Sequence, residues 1–100
     1  MEIHVTKTDK TLLVELDGRL DTTTSPELER TLKTEIADNE NLILDFAKLA
    51  YISSAGLRVL LAAQKVMNRQ GTMVIRNVNE TIMEVFEVTG FADFLTIETE

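Results

Sequence analysis

Two adjacent hydroxyls stand where a strand-like run gives way to a helical one: Ser53 and Ser54, in Ile52-Ser53-Ser54-Ala55-Gly56. A serine in front of a helix satisfies an orphan backbone N–H, a contribution of about 0.5–2 kcal/mol. One serine suffices for that, so the second hydroxyl is left free and facing solvent. A phosphate on it would gain from the positive helix end and from open N–H groups around Gly56, which has no side chain to obstruct them. It would bring a charge of about −1.5 to −2 to the rim where a partner docks. The chemistry suited to these residues is a switchable phosphoester on a binding surface.

Catalysis asks for a nucleophile, a base and a charge stabiliser in one place. Around Ser54 only the second glycine of a G-x-S-x-G elbow is present. The single histidine, His4, lies in the opening strand, and the absence of cysteine removes disulfides, thiolate metal sites and thiol nucleophiles. Neither G-x-x-x-x-G-K-S/T nor G-x-G-x-x-G occurs. Asp17 and Asp21 read as turn formers rather than cation ligands. One tyrosine, four phenylalanines and no tryptophan offer no stacking platform for single-stranded nucleic acid. The chain reads as a non-enzyme that needs no metal and no cofactor.

The elements that must position the serines follow from periodicity. Glu2–Thr8 and Thr11–Asp17 alternate apolar and polar residues, and Asp9-Lys10 between them suits a hairpin. Gly18 marks a turn, and Asp21–Pro26 forms a loop in which Ser25 caps a helix with Pro26 at its first position. Leu28, Leu32 and Ile36 give that helix a narrow apolar stripe. Asn41–Phe46 is a nearly continuous apolar run, the pattern of a strand covered on both faces. A loop over Ala47–Ser53 then leads into a helix over Ala55–Arg69, with Arg58, Lys65 and Arg69 along one side. Gly71 stops it, Thr72–Arg76 is a further strand, and Asn79 caps a third helix that ends at Gly90. A packed turn and a short edge strand containing Ile97 close the chain. The order β-β-α-β-α-β-α-β predicts an α/β fold: one mixed sheet, an antiparallel N-terminal hairpin plus parallel strands, with helices mainly on one face. Partner surfaces in such folds form beyond the carboxyl ends of the parallel strands, where both hydroxyl clusters fall.

The chain is 100 residues long, 44% apolar and 27% charged, so one domain over residues 1–100 can bury a core. Its net charge is −7. That disfavours direct nucleic-acid or anionic-membrane binding. No apolar stretch approaches the roughly 20 residues of a membrane span, and no secretory signal opens the chain, so a cytoplasmic location is expected. The charge is also segregated. Residues 46–79 hold Lys48, Arg58, Lys65, Arg69 and Arg76 and no acid, which makes the segment +5 and the remainder −12. Either some of these cations pair with acidic neighbours in the fold, or they form a positive face suited to an acidic group or a phosphate.

Asp45-Phe46-Ala47-Lys48-Leu49-Ala50-Tyr51-Ile52-Ser53-Ser54-Ala55-Gly56-Leu57 resembles the signature of the STAS family of anti-sigma-factor antagonists. In that signature a strand ending D-F/L is followed by a spacer, an aromatic, an aliphatic, and D/S-S-x-G-L opening a helix. Leu16-Asp17-Gly18-Arg19-Leu20-Asp21 resembles the family's L-x-G-x-L-D, and Gly90-Phe91 its G-L/F after the last helix. The resemblance covers essentially the whole chain. It implies a partner-switching regulator that binds an anti-sigma factor when unphosphorylated and thereby releases a sigma factor. The anti-sigma factor is also a serine kinase, and a serine phosphatase reverses its action. The acceptor falls on Ser54. Asp21, Thr22 and Thr24 on the neighbouring loop, with Ser53, Gly56, Leu57 and Arg58, would complete the docking surface. Ser53 stands where the family often has Asp, and is a second candidate acceptor; Ala55 stands where Ser or Thr is usual.

Two other readings compete with this switch. A phosphorylation-independent interaction module, such as a transporter-associated or scaffold subunit, would share the fold. A nucleotide-binding domain would rest only on the helix start and the threonine loop.

Overall fold

In the computed structural model, which describes residues 1–98, the chain begins with the expected hairpin. Strand β1 (Glu2–Thr8) pairs antiparallel with β2 (Thr11–Leu20), and Asp9-Lys10 reverses the chain with Asp9 at φ 53°. Asp tolerates that left-handed backbone better than most residues do. Helix α1 (Ser25–Glu35) leads to β3 (Asn41–Ile52), and α2 (Ser54–Gln70) to β4 (Thr72–Arg76). Helix α3 (Glu80–Thr89) leads through one 3₁₀ turn to β5 (Ile97–Glu98). Thr99 and Glu100, the end of the domain expected over residues 1–100, lie outside the described residues.

The sheet order is β1-β2-β3-β4-β5, antiparallel only at the hairpin. Strand order equals chain order, so every crossover steps the same way. Right-handed crossovers that step one way place all their helices on one face of the sheet. The core lies on that face: Leu12, Val14, Leu42, Leu44, Phe46 and Ile75 are inaccessible to solvent and pack with Leu28, Leu60, Met67, Ile82 and Phe86. The intervening Leu13, Ile43 and Val74 lie side by side on the other face, half-buried. The run Asn41–Phe46 is therefore covered on one face, not two. It reads as two-sided because Ile43 sits between two apolar neighbours on the open face.

The boundaries near the serines differ most from expectation. Strand β2 passes through Gly18 instead of turning there, and β3 absorbs all but the last residue of the expected Ala47–Ser53 loop. Two bulges explain both. Glu15 pairs with Asp45 but Asp17 with Lys48, and Gly18 pairs with Leu49 but Arg19 with Tyr51. Each step leaves one extra residue on β3, so its inward positions fall at Phe46, Leu49 and Ile52, three apart. Gly18, at φ +122°, supplies a backbone conformation beside the second bulge that other residues avoid. Helix α1 starts one residue earlier than expected: Thr24 rather than Ser25 occupies the N-cap position, without a side-chain capping bond, and Pro26 is the second residue. Ser25 is buried and its hydroxyl donates to the Asp21 carbonyl at 2.6 Å. Helix α3 begins and ends as expected: Asn79 Oδ1 accepts the Ile82 N–H at 2.8 Å, and Gly90 is left-handed at φ 83°.

Candidate functional site

The bulged ends of β2 and β3 run side by side and deliver two hydroxyl-bearing segments to one place. Arg19 pairs with Tyr51 and Leu20 with Ile52, and the Ser53 N–H then donates to the Leu20 carbonyl at 2.9 Å. That bond ties the Asp21 turn to the start of α2. Across it the Arg19 guanidinium lies 4.4 Å above the centre of the Tyr51 ring, a cation–π contact between two exposed side chains. Arg19 and Tyr51 fall in two separate sequence motifs that gave no sign of their contact, and only the strand register brings them together.

Asp21 organises its turn. Its Oδ1 accepts from the Thr23 N–H at 3.0 Å, the Thr23 hydroxyl at 2.8 Å and the Thr24 N–H at 3.1 Å. The hydrogen bond from the Thr23 side chain is the main reason that the Asp21 carboxyl is held below its ordinary pKa; partial burial opposes it, and the backbone bonds from Thr24 and Thr23 add to it. Arg19 Nε stands 4.0 Å from the other carboxylate oxygen. The Thr24 hydroxyl accepts the Asp21 N–H at 2.9 Å and donates to the Arg19 carbonyl at 2.7 Å, so it faces inward. Thr22 is exposed.

At the other segment the two serines separate. Ser53 has an extended backbone, φ −101° and ψ 175°, and its hydroxyl accepts the Gly56 N–H at 3.5 Å, a long capping bond. Ser54 is the first residue of α2 and is exposed. No acidic residue occupies the first turn of that helix. Gly56 is not open as expected from the sequence. A Cβ there would lie 2.8 Å from both Ile52 Cγ1 and Leu20 Cγ, so its lack of a side chain lets α2 approach the two strand ends. Leu57 is also buried, at 6% exposure. Gly56 and Leu57 thus hold the helix in position and present no surface of their own.

Arg58 is exposed one turn beyond Ser54. It lines a hollow of about 190 Å³ between the starts of α1 and α2, with Thr22, Ser25, Pro26, Glu29, Ala55 and Val59. Of the five cations in the acid-free segment, Arg76 pairs with Asp45 at 3.8 Å. Lys48, Arg58, Lys65 and Arg69 are exposed and make no ion pair among the described residues. Of the five, then, one cation is neutralised within the fold and four are left facing solvent. No cluster of three or more potential metal ligands occurs among the described residues. Among them, too, no helix is long and apolar enough to cross a membrane.

Comparison with known proteins agrees with this geometry. The family model described as STAS domain matches residues 2–100. BtrV of Bordetella bronchiseptica, provisionally described as an anti-sigma factor antagonist, is 34% identical over 99 residues; the match covers 97% of this chain and 85% of BtrV. The crystal structure of an anti-sigma factor antagonist from Mycobacterium paratuberculosis superposes with a TM-score of 0.88 at 20% identity, covering 97% of this chain and 84% of that one. The phosphorylated form of the Bacillus cell fate determinant SpoIIAA superposes with a TM-score of 0.76 at 21% identity, over 99% of this chain and 93% of that one.

Proposed function

The chain belongs to the STAS domain family, and we propose that it is an anti-sigma-factor antagonist switched by phosphorylation of Ser54. In this reading residues 1–100 form a single STAS domain that acts by binding in the cytoplasm and catalyses nothing. Unphosphorylated, it docks on an anti-sigma factor that is also a serine kinase, and a sigma factor is released. The kinase then transfers the γ-phosphoryl group of ATP to the Ser54 hydroxyl, ADP leaves, and the complex weakens. A serine phosphatase returns the free hydroxyl.

The observation that carries this reading is the division between the serines: Ser53 is engaged as the cap, while Ser54 stands exposed beside the Asp21 turn. A phosphate there alters the docking face without disturbing the core, because neither the cap nor the buried Gly56–Leu57 step is touched. The added dianion and bulk meet the partner at the contact itself, which raises the rate of dissociation. That a structural relative is described in a phosphorylated form is consistent with such a switch. Thr22 and Arg58, exposed beside the hollow between α1 and α2, and the Asp21 turn would supply the polar part of the contact, Thr24 acting from within by bracing that turn, with Ser53 as the second candidate acceptor.

Incubation with the cognate anti-sigma factor and ATP, followed by peptide mass spectrometry, is expected to place one phosphate on Ser54. Ser54→Asp is expected to bind that partner at least tenfold more weakly than wild type in calorimetry, and Ser54→Ala to bind it but resist modification. Phosphate found elsewhere, or a Ser54→Asp protein that binds like wild type, would overturn the switch. The second result would favour a phosphorylation-independent module.

A further inference from the structure

Phosphorylation of Ser54 would change the charge of this protein one helical turn before Arg58. Residues four apart on a helix share a face, and long side chains lean toward the helix N-terminus, over the preceding turn. Arg58 therefore shares a face of α2 with Ser54, one turn away, with a side chain long enough to reach back over that turn. It is exposed and has no ion-pair partner among the described residues. The other charged groups nearby are less suited to the position. Arg19 faces Asp21 and the Tyr51 ring, and the Asp21 carboxylate is occupied by its own turn. Glu29 lines the same hollow as Arg58 and pairs instead with Lys33, at 3.7 Å. Lys65 and Arg69 lie about two and three turns farther along α2.

We infer that Arg58 holds the phosphate carried by Ser54, through charge-assisted N–H···O bonds within the same helix. The inference rests on Ser54 being the acceptor, as proposed above, and adds to it a residue of this chain that receives the modification. A guanidinium offers a planar fork of donors to phosphate oxygens, a geometry that an ammonium lacks. Once engaged, that guanidinium is withdrawn from any acidic group of the partner. One phosphoryl transfer then removes a positive contact from the docking face as well as adding a negative one.

The test places phosphoserine at position 54 during translation, so that no kinase is involved, and follows its phosphorus resonance against pH. An unpaired phosphoserine loses its second proton near pH 6. In low salt the midpoint for Arg58→Gln is expected above that of wild type by about 0.3 of a pH unit, the titration equivalent of an exposed helical ion pair. Arg58→Lys is expected between the two, Lys65→Gln with wild type, and 1 M salt should merge all four. Coincident midpoints for wild type and Arg58→Gln in low salt would overturn the inference. So would an equal rise in Lys65→Gln, the mark of a diffuse field rather than a pair. The choice of Ser54 by the kinase is decided separately by mass spectrometry, so the two readings fail independently.

Discussion

Asp21 shapes its turn through one carboxylate oxygen, which collects the Thr23 hydroxyl and two successive backbone N–H groups. Those donors favour the ionised form, so the folded carboxyl titrates below the ordinary value of 3.8. The sign of the linkage follows. Ionised Asp21 contributes its stabilisation fully above pH 3.8 and loses it as pH falls through the lower folded value. Protection of the Thr23 and Thr24 amides against hydrogen exchange is therefore expected to be level from neutral pH down to that point and to fall below it. In Asp21→Ala the same amides should be unprotected at pH 7 with no acid step, and Asp21→Asn should keep part of the protection through its carbonyl oxygen. Protection that persists unchanged in Asp21→Ala would show that the strand ends, not the carboxylate, hold the turn. The pair Ser53 and Ser54 obeys the same local logic: identical side chains are divided by backbone conformation into one that caps and one that faces solvent.

At the scale of elements the critical contact is the approach of α2 to the ends of β2 and β3. Gly56→Ala tests it, because the two consequences of adding a methyl group have opposite signs. Helix propensity favours Ala by about 1 kcal/mol. Against that, the new Cβ would sit 2.8 Å from Leu20 and Ile52 side-chain atoms that are themselves buried, and overpacking of this kind costs about 1–3 kcal/mol. A net destabilisation of about 1 kcal/mol is expected in urea melts, with chemical-shift changes centred on Ser53, Ser54 and Leu20. A stabilised Gly56→Ala would mean that the helix start yields easily, and that Ser54 is less firmly positioned than this contact implies. Most of the architecture was legible in the sequence because its signals are local: alternation in the hairpin, the stripe of Leu28, Leu32 and Ile36, the Asn79 cap and the Gly90 stop. The path to the serines was not. Bulges break the period of two, so Phe46, Leu49 and Ile52 three apart resemble a loop, and Gly18 inside a strand resembles a turn. Both errors arise from pairing with a distant strand, which no local window contains. For the same reason the meeting of Arg19 with Tyr51, and the burial of Gly56 against Leu20, had no signal in the residues around them.

Across the whole molecule the charge is arranged to act before contact is made. The net charge of −7 is that of an acidic body, but Arg58, Lys65 and Arg69 share one exposed side of α2 and span about 16 Å along it. That length exceeds the Debye length of about 8 Å at physiological ionic strength, so an approaching surface feels this stripe rather than the molecular average. Charges on the rim of an interface act mainly on the encounter, whereas groups buried at its centre set the rate of escape. Lys65 and Arg69, far from the serine, are rim charges if docking centres on Ser54. Neutralising both, as Lys65→Gln/Arg69→Gln, is expected to lower the association rate with the anti-sigma factor several-fold at low salt and to flatten its salt dependence. The dissociation rate should change little, in contrast to Ser54→Asp, whose effect should fall on dissociation. Stopped-flow measurements at two ionic strengths separate the cases. A faster association for the double variant would show that the partner presents a basic face, and that the acidic body, not the stripe on α2, guides the two proteins together.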